Sequence, residues 1–400
     1  MRNFFKVAVI GGGASGLAFA TELVMSGVKG DDILVLERND RVGKKLLVTG
    51  NGQGNLSNEN LSAGFYHGDV ATISSFIEGL KSFDIKEFFY SLGVPLKADG
   101  EGRIYPLSKQ AGAVVDAFRY FLAKNSVNVI TGARVVSLDK RKGVFTVVTE
   151  KGEFTAEKAV LSFGGAAGKQ FGTDGGSYSL AEVFGHSVTP LYPSLVQLKT
   201  ETQKIKGLKG LKQDVRITAL DGRREIKTET GELLFTDYGV SGSAVFRISG
   251  YLADLSDPAI RIEFLPDFTK EEIERMINDK LRLVFIEKKE ILSGLINKMI
   301  GVAIIKTVKE FSASAIAEAI KNFTLRVTGN TGFTNAQVTK GGIRGREIDP
   351  ETFESRLTDG LYIVGEALDV DGDCGGYNLT FAFYSGYAAA KDVAGRCKSK

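Results

Sequence analysis

Glycines at positions 11, 13 and 16 constrain this chain more than any other feature. They follow the apolar run Val7-Ala8-Val9-Ile10 and open a helical pattern from Leu17 to Ser26. A second apolar run, Ile33-Leu34-Val35-Leu36, ends at Glu37, about twenty residues beyond Gly16. In such a unit Gly11 permits the tight turn, Gly13 lets a pyrophosphate approach bare backbone, and Gly16 lets helix and strand pack closely. The free N–H groups and positive dipole end of the helix favour phosphate. Glu37 is then placed to take the hydroxyls of an adenosine ribose. Two other readings compete. Arg2 and Lys6 ahead of an apolar run, with Ala18-Phe19-Ala20, imitate a secretory signal, but three consecutive glycines break its apolar core. A glycine turn in some other α/β unit would not need the acid at Glu37.

Four hundred residues exceed one hydrophobic core, so two or three domains are expected. Charge is nearly balanced, 51 basic against 48 acidic residues. That balance gives no electrostatic case for nucleic acid or an anionic membrane surface. No apolar run reaches the ~18 residues of a membrane helix. Two cysteines, Cys374 and Cys397, without C-x-x-C spacing suit a reduced, cytoplasmic protein. With only His67 and His186 besides, no metal site is expected.

Strand and helix patterns alternate to about residue 190, as a parallel sheet requires. Helical stretches are predicted at Ile73–Leu80, Ile85–Leu92 and Val114–Ala123. Val127–Thr131 reads as a strand, and Val135–Leu138, Val144–Thr149 and Glu153–Thr155 as a small antiparallel meander. Lys158–Phe163 reads as a separate apolar strand. From about Pro193 to Phe264 short alternating strands imply a β-rich insert, read as a small barrel. Thr269 can cap a helix with Glu271 and Glu272 in its first turn, and helices continue to about Asn322. Leu325–Val327, Asn335–Thr339 and Leu361–Val364 return to strand before a last helix from about Asn378 to Arg396. The expected organisation is 1–192 as the first part of a dinucleotide domain, 193–268 as the first part of the insert, 269–322 as a helical subdomain, 323–341 as the last insert strands, and 342–400 as the rest of the dinucleotide domain. The fold class is α/β, a doubly wound parallel sheet with an inserted barrel that carries the helical subdomain.

A dinucleotide lies across the carboxyl ends of the strands, and three further segments are candidates to meet it. Thr358 to Glu366 is a turn, an apolar strand, then Gly365 and an acid; in large flavoproteins such an acid bonds the ribityl chain of FAD. Gly375, Gly376, Tyr377, Asn378 and Leu379 open the last helix, whose N-terminus can stabilise negative charge at a flavin edge. An ordinary loop-to-helix turn is the plainer reading of that glycine pair. Leu161 to Gly165 ends a buried strand in Gly164 and Gly165; the sequence to Gly168 lacks the spacing of a second dinucleotide motif. Gly43 to Asn55 carries Lys44 and Lys45, able to meet phosphates unless they merely face solvent, and then Gly50, Asn51 and Gly52, which let chain run beside a flavin. Ala14, Arg38 and Val135 complete the expected cofactor set. Gly239 to Ser243 imitates a hydrolase nucleophile elbow but lacks the final glycine, so Ser241 is read as capping a helix from Ala244.

At these residues the chain resembles the BaiN-like family of bacterial NAD(P)/FAD-dependent oxidoreductases, related to aminoacetone oxidase. The resemblance rests on the N-terminal fingerprint, Gly43-Lys44-Lys45, Gly102 to Pro106, Leu234 to Gly242, Val338 to Ile343, and Gly365 to Gly372 through Gly375 to Leu379. It implies an FAD fold with a barrel insert bearing helices, and FAD contacts at Ser15, Glu37, Lys44, Gly365, Asp369, Asn378 and Leu379. Gly52-Gln53-Gly54-Asn55 departs from the family's usual glycine-arginine-cysteine-asparagine. Losing that cation removes a charged hydrogen bond worth about 1–3 kcal/mol, so a relative's substrate does not transfer directly. The function expected is hydride transfer between flavin N5 and a small organic substrate, with NADH, NADPH or oxygen as the other redox partner; the alternative is a structural or sensing flavoprotein. Arg103 and Tyr377 are the candidate catalytic residues, Tyr377 as proton donor, with Tyr105, Tyr238 and Ser241 also on the substrate side. Cys374 reads as a small apolar filler.

Overall fold

The computed structural model describes residues 3–283 and 285–398; Arg2 of the signal-like reading lies outside them. The chain divides into two compact units, residues 1–192 with 338–400, and residues 193–337. Val338–Lys340 therefore falls in the first unit. Each unit closes around its own apolar core.

The first unit is built on a seven-stranded sheet. Asn128–Ile130, Ile33–Leu36, Phe4–Ile10 and the C-terminal half of Gly152–Leu161 lie parallel in that order, and Leu361–Ile363 pairs parallel with the far side of Gly152–Leu161. These strands are short apolar runs because helices cover both faces; all four residues of Ile33–Leu36 are buried. Gly152–Leu161 corrects the sequence reading. The expected third meander strand and the expected Lys158–Phe163 strand are one ten-residue strand. Its first half pairs antiparallel with Val144–Thr149, which pairs in turn with Val135–Arg141. The register Phe4 to Thr155 continues through Ile10 to Leu161, so the polar residues Thr155 and Glu157 mark the change of partner rather than a break.

Helix Ala14–Met25 starts three residues before the first periodic apolar position, directly on the glycine turn, and packs against the last helix, Tyr377–Lys398. The contact is close: a Cβ at Gly386 would lie 2.2 Å from the Ser15 carbonyl oxygen. Two small sheets flank this frame. Ser57–Asn58 joins Arg103–Pro106 and Leu96–Ala98, and Tyr66–Gly68 pairs with Val370–Gly372.

The second unit is a closed antiparallel barrel of six strands, running around as Leu198–Thr200, Gly239–Ser241, Arg224–Phe235, Lys212–Asp221, Pro258–Glu263 and Phe323–Asn330. Helices Lys270–Leu281, Lys298–Ile305 and Ala313–Lys321 lie between its last two strands in sequence. Thr269 caps the first through a complete capping box with Glu272. Contrary to the reading from sequence, Ser241 does not cap the following helix. It ends a buried strand, and Gly242 occupies the cap position of Ser243–Ser249 without a side-chain bond.

Candidate functional site

The glycine motif builds the first part of the site. Gly11 has φ +113, a left-handed value that favours glycine, and its N–H donates to the Leu36 carbonyl at 2.8 Å. A Cβ there would lie 2.4 Å from the Ser162 carbonyl oxygen, and one at Gly16 would lie 2.1 Å from the Gly11 carbonyl oxygen. Both glycines are closed by protein. Gly13 differs: a Cβ there meets nothing within 4 Å, and it caps its helix without a side chain. The structure thus leaves open space where backbone N–H groups emerge from the helix start, the arrangement a pyrophosphate needs.

Glu37 is buried, and both its oxygens are engaged. Oε2 accepts the Gly12 N–H at 2.9 Å, while Oε1 accepts the Asn39 backbone N–H at 2.8 Å and its side-chain amide at 2.7 Å. These bonds fix the carboxylate beside the glycine turn and leave a lone pair on Oε2 for a ribose hydroxyl. The Glu37 carbonyl accepts from Ala133 N–H, which brings in the chain that leads to Val135, a residue of the expected cofactor set. Arg38 reaches instead to the Gly172 carbonyl and Asp174.

The paired lysines part company. Lys44 pairs with Asp40, 2.7 Å away on the surface, whereas Lys45 Nζ lies 2.7 Å from Glu366 Oε2. Glu366 Oε1 accepts the Thr339 N–H, and Thr339 Oγ1 accepts the N–H groups of Ala166 and Ala167 at 2.8 and 2.9 Å. A Cβ at Gly165 would sit 2.3 Å from Thr339 Oγ1 and 3.1 Å from Glu366, and one at Gly365 would sit 2.6 Å from Ser15 Oγ. Gly164 and Gly165, Gly365 and Glu366, Lys45 and Ser15 are therefore brought to one place.

The last helix closes the other end. Asn378 clamps Gly372 in both directions, its amide donating to the carbonyl at 2.7 Å and its Oδ1 accepting the N–H at 2.8 Å. Asn58 donates to the Gly375 carbonyl, Thr380 donates to Ser57 Oγ, and a Cβ at Gly376 would lie 2.3 Å from the Ser57 carbonyl oxygen. The strand-like end of the Gly50–Asn58 loop is thus seated on the helix start that also carries Leu379. Upstream in that loop, Gly50, Asn51 and Gly52 all have positive φ, and a Cβ at Gly50 would approach the Tyr105 ring.

Tyr377 is buried, its ring stacked on Phe65 at 4.5 Å and edge-on to Tyr66. Burial, helped by Asp373, pushes its phenol up to about 12, which makes it a reluctant proton donor at neutral pH. Arg103 is held by Asp99 at 2.9 Å and Glu101 at 3.2 Å, half exposed and firmly cationic. Asp369 accepts from Thr189, and burial raises its carboxyl. Tyr238 and Ser241 belong to the barrel unit, Tyr238 exposed and Ser241 buried at the end of its strand.

Sequence reasoning overlooked Thr339, Ser57, Asn39 and Asp371. Thr339 lay inside a motif that carried the family resemblance, and Asp371 lay in an alternating run of three acids; these were the available signals.

The protein-family model for the HI0933-like protein Rossmann domain matches residues 5–392. The 3-dehydro-bile acid delta(4,6)-reductase of Clostridium scindens is 37% identical over 98% of this chain and 99% of its own length. A ribosomal RNA dihydrouridine synthase of Haemophilus influenzae is 26% identical over 98% of this chain and its own full length. Among solved structures, a 3-ketosteroid-delta4-(5alpha)-dehydrogenase from Rhodococcus jostii RHA1 superposes with a TM-score of 0.52 at 16% identity, covering 98% of this chain and 97% of that one. At that identity the likeness speaks for the fold.

Proposed function

From the premise that this chain belongs to the HI0933-like Rossmann-domain family, we propose that it reduces a carbon–carbon double bond conjugated to a ketone in a small alicyclic molecule. The chain is an FAD-dependent oxidoreductase; the substrate class and electron donor are the proposal. The observation that carries it is the near-full-length identity with a delta(4,6)-reductase of a 3-dehydro-bile acid. The dihydrouridine synthase, named for an RNA substrate, supports the same chemistry, because making dihydrouridine also saturates a double bond conjugated to a carbonyl. Relatives named for catalysis do not favour a structural or sensing role.

FAD supplies the hydride chemistry, and the chain supplies binding, orientation and electrostatics. In this reading Gly13, Ala14 and Ser15 hold the pyrophosphate at the helix start. Glu37 takes the adenosine ribose, and Glu366, steadied by Lys45 and Thr339, faces the ribityl chain. Gly376 to Leu379 present the helix start to the flavin edge, where its dipole favours added electrons. NADH or NADPH is the expected donor. A small substrate is preferred to RNA because the near-balanced charge, net +3, gives weak phosphate attraction.

Single-turnover measurement tests this. The flavoprotein, reduced by dithionite without oxygen, is mixed with a 4-ene-3-ketosteroid or with uridine-containing ribosomal RNA. The steroid is expected to reoxidise the flavin and gain two hydrogens by mass. Reoxidation by RNA but by no enone would overturn the small-molecule reading.

A further inference from the structure

We propose that Asp371 is the hydrogen-bond donor that grips the carbonyl oxygen of the substrate, an inference that rests on the enone reading above. The strand Val370–Gly372 sets Asp371 directly opposite His67 of Tyr66–Gly68. Its neighbours of like spacing are both satisfied: Asp369 Oδ2 accepts from Thr189, and Asp373 Oδ1 bonds His67 Nε2 at 2.8 Å. Asp371 lies between them at 3% exposure, and its buried Oδ1 has no hydrogen-bond partner among the described residues. Among the described residues six buried side-chain polar atoms lack a hydrogen-bond partner, and Asp371 Oδ1 is the carboxyl oxygen of that set. Buried carboxyl oxygens are almost always paired, so this one, on the segment assigned to the flavin, is where a ligand group can complete the bonding.

The location agrees. Asp371 stands five residues beyond Glu366 and next to Gly372, which Asn378 clamps at the start of the last helix. It is thus on the segment assigned to the flavin, between the ribityl acid and the helix that faces the flavin edge.

The surrounding charges decide what kind of ligand group fits. Burial is the largest influence and pushes the carboxyl up to about 6. His67 from the paired strand and Lys340 from Val338–Lys340 oppose the rise, while Asp369 and Asp373 of its own segment add to it. The last helix contributes Tyr377, whose phenol faces Asp373. Two flanking acids repel an anionic ligand group, and a buried neutral acid offers one O–H to a neutral acceptor. A ketone oxygen meets that demand, and a hydrogen bond there draws electrons from the conjugated alkene.

The test uses the FAD-loaded protein and the flavin absorbance change on binding a 4-ene-3-ketosteroid, read from pH about 5 to about 8. Wild-type affinity is expected to fall by up to about tenfold per unit above pH about 6, as the donor is lost. Asp371→Asn keeps an N–H donor without a proton to lose, so its binding should be independent of pH. Asp371→Leu should bind at least about tenfold more weakly at low pH, and His67→Gln should keep the wild-type slope. A pH-dependent Asp371→Asn, a flat wild type, or unimpaired binding by Asp371→Leu would overturn this assignment while leaving the enone reading intact. No steroid binding by the wild type at any pH would overturn both.

Discussion

Glu37 and Gly16 separate two ways in which one residue serves a nucleotide site. Glu37→Ala removes three hydrogen bonds and leaves the Gly12 N–H without its acceptor. FAD affinity should drop by about 1–3 kcal/mol, roughly 5- to 150-fold, in a titration of deflavinated protein. Gly16→Ala acts on the protein itself. With a Cβ 2.1 Å from the Gly11 carbonyl and 2.6 Å from Ser162 Oγ, the strand and helix must move apart, and thermal unfolding should come earlier even without FAD. His186 offers a residue-scale prediction in pH. Its Nε2 faces Ser355 Oγ at 2.8 Å; that oxygen already accepts the Leu357 and Thr358 N–H groups, so the hydroxyl proton goes to Nε2. Nδ1–H then donates to Glu347. Burial lowers the His186 pKa, with Glu347 acting against it. A depressed folded value means that the stability it contributes is complete above the unfolded pKa of about 6.5 and is lost as pH falls from there. His186→Gln should flatten the pH dependence of urea unfolding below about 6.5; an unchanged slope would show that His186 does not titrate there.

At the scale of elements, local signals were readable and distant partnerships were not. The strand, glycine turn and helix at the N-terminus, and the helix start at Thr269, are written in adjacent residues, and each formed. Thr269→Ala removes one half of a complete capping box and should cost about 1 kcal/mol, seen as a lower unfolding midpoint of the 193–337 unit. By contrast, Lys44 and Lys45 look alike in sequence. Only the crossing of strand ends decides that one meets Asp40 and the other Glu366, 321 residues away. The Gly152–Leu161 strand was read as two because its partner changes halfway along, which no property of its own residues announces. Thr339 could not be assigned for the same reason: its partners, Ala166 and Ala167, are 173 and 172 residues away, on the far side of the barrel insert in sequence.

At the scale of the molecule, every residue proposed to hold FAD lies in the unit formed by residues 1–192 and 338–400, although the chain leaves that unit for the whole barrel in between. Ligand binding should therefore stabilise that unit by mass action, about 2.7 kcal/mol at a hundred times the dissociation constant. The measurement that tests the central claim most directly is FAD titration of deflavinated wild type beside Gly13→Val, with melting temperature followed for both. Gly13 has extended backbone that valine adopts, and its Cβ position is empty of protein. The two proteins should therefore melt alike without ligand, while wild type binds one FAD and is stabilised and Gly13→Val binds none. A folded wild type that ignores FAD, or a Gly13→Val protein that binds it as tightly, would contradict the account.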